Sequence, residues 1–426
     1  MHSSDLAGKR VIVLGTGREG AAAADYLRAT AADLAATGDS PAAEFPIRQV
    51  APDPAALAAE FDVAVKSPGL SPRHPLVAGL IAAGLPITSG TDLWMSEHFA
   101  TTIGVTGSKG KSTTSSLIHH LLPDSVLGGN IGVPLLALEP TARTVVELSS
   151  YQCQSLTVSP DVAVVTSLFA EHLDWHGGEE QYYADKLTIV RHDPRVVIAN
   201  GEDANLLAHL AGVDVHWVGA GNRYRLEDRN GVDWIFRADV PIVPVSQLKL
   251  LGRHNALNAA IALAAADSVS LLDADVAAER LSTFLPLENR LEPIADPSGL
   301  TFVNDTLSTS PFATIEALKA FPSHEVVLLV GGQDRGVDYA PLADYLVQHP
   351  IAAVVGLPPS GARILGELTS VHTELSTGMR DAVERARALA PKGGTVLLSP
   401  AAPSYGVYRD FAERAADFKL MIEETR

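Results

Sequence analysis

The stretch Thr102-Ile103-Gly104-Val105-Thr106-Gly107-Ser108-Lys109-Gly110-Lys111-Ser112-Thr113, running on into Thr114-Ser115-Ser116-Leu117-Ile118-His119-His120-Leu121-Leu122, decides the fold. A β-branched run ends at a glycine-bounded loop, and the loop opens into a helix-compatible segment. Strand, glycine turn and helix in that order begin a βαβ unit, and such units build parallel sheets. The same grammar recurs on both sides. VIVLG (11–15) precedes AAAADYLRA (21–29), VAVKSPG (63–69) and PITSG (86–90) follow, and TFVNDT (301–306), EVVLLVGG (325–332), AAVVG (352–356) and TVLLSP (395–400) repeat the strand pattern near the C-terminus. A strand-rich insert, 233–248, precedes the Ala-rich helix 254–266. The expectation is an α/β chain of three domains, at 1–92, 93–287 and 288–426. The Ala/Thr/Asp/Pro-rich stretch 31–45 reads as a loosely organised connection.

Composition narrows the class. Of 426 residues 46% are hydrophobic and 19% charged, too apolar for a disordered chain and too long for one ordinary core. The net charge of -18, from 50 acids and 32 bases, repels polyanions, so nucleic acid and anionic membranes are not expected partners. Any phosphate must be gripped locally. A single cysteine, Cys153, excludes an internal disulfide, and neither a signal peptide nor a membrane span is legible. A cytoplasmic enzyme is expected.

The opening loop carries the strongest chemistry. Gly107, Ser108, Lys109 and Gly110 supply backbone N–H groups ahead of a helix N-terminus, where a triphosphate is stabilised. Lys111 can reach the β and γ oxygens of ATP, and Ser112 or Thr113 can ligate Mg²⁺. The loop departs from the strict G-x-x-x-x-G-K-S/T pattern, because Val105 occupies the first glycine position. Upstream, Gly15-Thr16-Gly17-Arg18-Glu19-Gly20 sits between a strand and a helix, as a dinucleotide fingerprint does. A phosphate-cradling turn and a plain tight turn satisfy it as well. Against a nicotinamide dinucleotide, no β run precedes Asp33 to carry an acid at the required distance.

Downstream, Glu147 stands near the C-terminal end of the apolar run TVVEL (144–148), where α/β sheets place ligands. It reads either as a capping carboxylate or, beside a nucleotide loop, as a Mg²⁺ ligand. His172 follows VAVVTSLF (162–169) and reads either as a ligand of a second metal or as a structural histidine.

Together these residues resemble the ATP-dependent Mur ligases, which assemble the peptide stem of bacterial peptidoglycan. TGSKGKSTT, GGNIGVP (128–134), VELSSYQ (146–152) and LGRHNALNAAIA (251–262) carry the resemblance over nearly the whole chain. The motifs VKSPGLSP, EHLDWHG, VNDTLSTSP, GGQDRGVDY and SPAAPSYGVYRDF are most similar to the MurD-type branch, which adds glutamate to UDP-N-acetylmuramoyl-L-alanine. The resemblance implies a Rossmann-like N-terminal domain for the UDP-substrate, a central P-loop ATPase-like domain and a C-terminal Rossmann-like domain for the amino acid. It implies ATP and Mg²⁺, an acyl phosphate intermediate and a cytoplasmic monomer.

It also implies roles. Lys111, Ser112 and Thr113 would hold the ATP phosphates and a first Mg²⁺ completed by Glu147. His172 would ligate a second metal, supported by Lys186 as its carbamate. Asn258, Arg290 and Asp305 would contact adenine, phosphate and ribose. Thr16, Gly17, Arg18 and Ser67 would surround the UDP group, and Asn130 and Ser149 the sugar-peptide. Thr309, Arg335, Ser404, Tyr405 and Phe411 would hold glutamate, with Tyr408 another candidate wall of that pocket.

The C-terminal motifs depart from the D-glutamate pattern. Leu307 stands where that pattern has a lysine, and Arg335 where it has another. An arginine fork meets a carboxylate with different geometry from a lysine, so the exchange is not conservative. The departures favour L-glutamate over D-glutamate, with an epimerase as a functional partner. Folylpolyglutamate synthetase-like ligation and an inactive nucleotide-binding module are the remaining alternatives.

Overall fold

The computed structural model describes residues 1–38, 44–139, 141–321 and 323–426. Among them three sheets form. The first contains β1 (Arg10–Leu14), β2 (Asp33–Thr37), β3 (Val63–Lys66) and β4 (Ile87–Ser89), all parallel in the order β2-β1-β3-β4. The second contains β5 (Thr102–Thr106), β6 (Val126–Gly129), β7 (Thr144–Glu147), β8 (Val162–Val165), β9 (Val196–Asn200), β10 (His216–Val218), β11 (Tyr224–Arg229), β12 (Val232–Arg237) and β13 (Val240–Pro244). Its order is β13-β12-β11-β10-β9-β8-β5-β7-β6, parallel except for the antiparallel meander β11-β12-β13. The third contains β14 (Glu292–Ala295), β15 (Thr301–Asn304), β16 (Val326–Val330), β17 (Ala353–Gly356), β18 (Thr373–Leu375) and β19 (Thr395–Leu398), ordered β14-β15-β19-β16-β17-β18 with only β14 antiparallel.

Strands β8, β16 and β19 read as near-continuous apolar runs because they are buried on both faces along their whole length. In β16, Val326, Leu328 and Val330 pack into one core while Val327 and Leu329 pack into another, the period-2 alternation of a strand between two helical layers. Each such buried side chain contributes about 1.5–3 kcal/mol relative to exposure. The chain divides into two compact units: residues 1–247 with 257–282, holding the first two sheets, and residues 248–256 with 283–426, holding the third. No described helix is long and apolar enough to cross a membrane.

One expectation fails. Asp33–Thr37 is a strand, paired in register with β1 from Arg10↔Asp33 to Leu14↔Thr37, not part of a loose connection. Its sequence, Asp-Leu-Ala-Ala-Thr, has little strand propensity, and burial beside β1 overrides it. Residues 39–43 of the stretch 31–45 lie outside the described residues.

Strand order also locates two crevices. In the first sheet β2 and β3 lie on opposite sides of β1; in the second, β7 and β8 lie on opposite sides of β5. Ligands bind at such reversals, beyond the carboxyl ends of the strands. The loops after β1, β3, β5 and β7 therefore hold the residues of interest.

Candidate active site

The nucleotide loop leaves β5 and ends at Gly110, the N-cap of the helix Lys111–Leu121, at φ +85°. A Cβ there would lie 2.7 Å from Asn258 Oδ1, so glycine allows Asn258 to press against the loop. Lys111 Nζ donates to the carbonyls of Gly107 (2.8 Å) and Ser108 (3.1 Å), folding back over its own loop. Ser108 Oγ pairs with Tyr182 OH at 2.8 Å, and Lys109 N donates to Ser167 Oγ at 2.9 Å, tying the loop to the segment after β8. Lys109 Nζ reaches Glu171 Oε1 at 2.6 Å. Burial pushes the Glu171 carboxyl up, but Lys109 and Lys111 hold it below the usual carboxylate range.

Glu147 ends β7, immediately beside β5, and is 1% exposed. Its Oε1 accepts a 2.6 Å hydrogen bond from Asn130 Nδ2, while its buried Oε2 has no hydrogen-bond partner among the described residues. An orphaned buried carboxylate oxygen is costly and fits a cation ligand better than a cap.

Lys186 closes the same site. It is 1% exposed, donates to Gly107 O at 2.9 Å and lies 5.0 Å above the Tyr182 ring. Burial, reinforced by Lys111, pushes its pKa down to about 7. This is not a solvated helix lysine, and an amine so readily neutral is suited to carbamylation. His172 lies seven residues beyond the end of β8, at φ +54° as N-cap of the short helix Leu173–His176. Partial burial, with Lys109, Lys111 and Lys186 nearby, lowers its pKa and favours the neutral imidazole a metal requires. No described group of three or more His, Cys, Asp or Glu side chains converges on a metal-sized space. The expected set of Ser112, Glu147, His172 and Lys186 contains only two side chains of those four types.

Beyond β1 and β3 opens a cleft of about 420 Å³. Gly17, Arg18, Ser67, Asn130 and Ser149 line it, and Thr16 lies between the lining residues Gly15 and Gly17. Ser67 Oγ is buried there without a hydrogen-bond partner among the described residues. Glu19, Tyr151 and Gln152 also line the cleft and had not been singled out as site residues, although the last two sit inside the ELSSYQ motif.

In the second unit the expected residues gather on the loops after β15, β16 and β19. The Asp305 carboxyl, pushed up to about 6 by burial, accepts hydrogen bonds from Leu291 N (3.2 Å) and Ser399 Oγ (2.9 Å). Arg290 belongs to the same neighbourhood and acts on Asp305 electrostatically. Thr309 follows on the β15 loop, and Arg335 Nε donates to Gln333 on the β16 loop. Beyond β19, Ser404 is buried, whereas Tyr405 and Phe411 are exposed. The Tyr408 hydroxyl is turned to Asp417 at 2.6 Å. Sequence reasoning missed Arg414. Buried at 1% exposure, it donates to Thr306 Oγ1 (2.8 Å), Thr306 O (2.8 Å), Ala402 O (3.1 Å) and Gly331 O (3.4 Å), fastening all three loops. A lone arginine in an amphipathic helix gives no sequence signal for that role.

A model of the Mur ligase middle domain matches residues 105–266. The UDP-N-acetylmuramoyl-L-alanine–L-glutamate ligase of Salinispora tropica is 46% identical, over 100% of this chain and 100% of its own. This chain belongs to the Mur ligase family. The identically named ligase of Xanthomonas campestris pv. campestris is 37% identical over 98% of this chain and 96% of its own. Solved structures of much lower identity share the fold. MurF ligase from Thermotoga maritima, solved in complex with ADP, superposes with a TM-score of 0.64 at 18% identity, covering 100% of this chain and 96% of that one. FolC of E. coli, solved with DHPP and ADP, gives 0.58 at 16% identity over 79% of this chain and 93% of that one.

Proposed function

We propose that this chain is the cytoplasmic, ATP-dependent ligase that adds L-glutamate to UDP-N-acetylmuramoyl-L-alanine during peptidoglycan precursor synthesis. The observation that carries the reading is the 2.6 Å bond from Asn130, a wall of the cleft, to Glu147, whose other oxygen is orphaned beside the nucleotide loop. One pair of residues thus joins a substrate cleft to a phosphoryl-transfer site. The two glutamate ligases described above, aligned over 98–100% of this chain, support the substrate class, and their names specify the L enantiomer. Leu307 and Arg335 support that enantiomer independently.

In this reading residues 1–92 bind the UDP-substrate, 93–287 bind ATP and 288–426 bind glutamate. The substrate carboxylate attacks the γ-phosphorus, ADP leaves, and an acyl phosphate results. The glutamate amine then attacks the acyl carbon and loses a proton as phosphate departs. Lys111 neutralises charge on the transferring group, in the preorganised manner that dominates such catalysis. Ser112, Glu147, His172 and carbamylated Lys186 would hold Mg²⁺, which when bound offsets phosphoryl charge. Asn130 fixes the Glu147 carboxylate, and Asn258 braces the loop at Gly110. Thr309, Arg335 and Ser404 hold the amino acid's carboxylates, while Arg414 sets the loops that carry them.

The test is substrate dependence. Release of ADP and phosphate should require UDP-N-acetylmuramoyl-L-alanine and glutamate together. Release independent of either one, or reduction of a nicotinamide dinucleotide, would overturn the reading.

A further inference from the structure

The cleft and His172 are joined by contacts that the chemistry above does not use. Arg73, on the segment following β3, donates Nη1 to the carbonyl of His176 (2.6 Å) and Nη2 to those of Asp174 (2.8 Å) and Trp175 (2.6 Å). These carbonyls end the four-residue helix Leu173–His176, whose own turn leaves them without partners. A planar guanidinium reaches all three; an ammonium does not have that fork. Gly177 closes the helix at φ +88°, and a Cβ there would lie 1.2 Å from Arg73 Nη1, so glycine is what admits the guanidinium.

Trp175 returns the connection. Its Nε1 donates to Gly69 O at 2.9 Å, Ser71 Oγ donates to the Trp175 carbonyl at 2.8 Å, and Lys66 Nζ lies 5.6 Å above the indole ring. Gly69 lines the cleft, and so does Tyr151, which stacks on Trp175 with centroids 4.4 Å apart. At the helix's other end His172 occupies a left-handed conformation, uncommon for a residue with a side chain.

We infer that Arg73 is a positioning residue that makes occupation of the cleft and cation binding at His172 mutually reinforcing. The inference rests on the ligase reading. A ligand that orders the loop Ser67–Leu70 also orders Arg73 and Trp175, and these set the helix that presents His172. Thermodynamic linkage then requires that the cation favour the cleft ligand by the same factor.

Mn²⁺ titrations followed by electron paramagnetic resonance test this on the full chain with a non-hydrolysable ATP analogue, with and without UDP-N-acetylmuramoyl-L-alanine. In the wild type the UDP-substrate should tighten Mn²⁺ binding by about fivefold or more. In Arg73→Ala the ratio should fall to near one, with Arg73→Lys between. Trp175→Phe, which keeps an aromatic ring against Tyr151 but removes the bond to Gly69 and part of the stacked surface, should lower the ratio without unfolding the chain. A wild-type ratio retained in Arg73→Ala or Trp175→Phe overturns the inference, as does a wild type that binds both ligands independently. A wild type that does not bind the UDP-substrate overturns the ligase reading itself.

Discussion

Asn130 donates its side-chain amide to Glu147 at 2.6 Å, and by that bond a residue lining the cleft orients a carboxylate whose second oxygen is buried without a partner among the described residues. A hydrogen bond to a charged group is worth about 1.5–3 kcal/mol. Asn130→Ala should therefore lower kcat/KM for the UDP-substrate by roughly 10- to 100-fold, and should also raise the Mg²⁺ concentration needed for half-maximal rate. Steady-state kinetics across a Mg²⁺ series would check it. A change in the UDP-substrate KM alone would separate Asn130 from the cation.

Lys111→Ala should remove at least about 100-fold of the rate, because a single preorganised contact to a developing charge is worth about 3 kcal/mol or more. Its ammonium rests on the carbonyls of Gly107 and Ser108, already above the loop. Near-normal kcat in the variant would remove the nucleotide loop from the mechanism.

Lys186 yields two outcomes. Its folded pKa of about 7 lies below the ordinary 10.5, so the unfolded chain binds the extra proton between those values. Stability from this site therefore rises as pH climbs through that window and is flat below it. In metal-free, bicarbonate-free protein, urea denaturation at pH 7 and pH 9 should show the wild type gaining on Lys186→Met; parallel behaviour would contradict the burial argument. Lys186→Ala should be nearly inactive and be partly restored by a short carboxylic acid. A ¹³C carbamate resonance on wild type supplied with labelled bicarbonate would identify the modification, and its absence together with failed rescue would exclude the role.

Enantiopure L- and D-glutamate assayed in parallel should differ mainly in kcat/KM, since a misplaced amine loses attack geometry even when bound. Leu307→Lys combined with Arg335→Lys should reduce kcat/KM for L-glutamate by about tenfold. A wild-type preference for D-glutamate would reverse the stereochemical assignment and leave the ligase assignment standing.

The nucleotide loop, the alternation of strand and helix, and the position of Glu147 at a strand end were legible in the amino-acid sequence. Each rests on contiguous residues: Gly110 supplies a backbone angle, Lys111 a reach, and TVVE (144–147) a strand whose last side chain emerges at its carboxyl end. The tertiary structure decided the rest, because it depends on groups far apart in the chain. Asp33–Thr37 is a strand because β1 lies beside it. Burial, reinforced by Lys111 from another element of the sheet's crevice, pushes the Lys186 amine down to about 7. Arg73 finds the helix ahead of Gly177 across 103 residues, and Arg414 finds Thr306 across 108. Local pattern specifies which backbone conformations a segment can adopt; burial and long-range hydrogen bonding, which set charge states and aim side chains, exist only once the segments have packed.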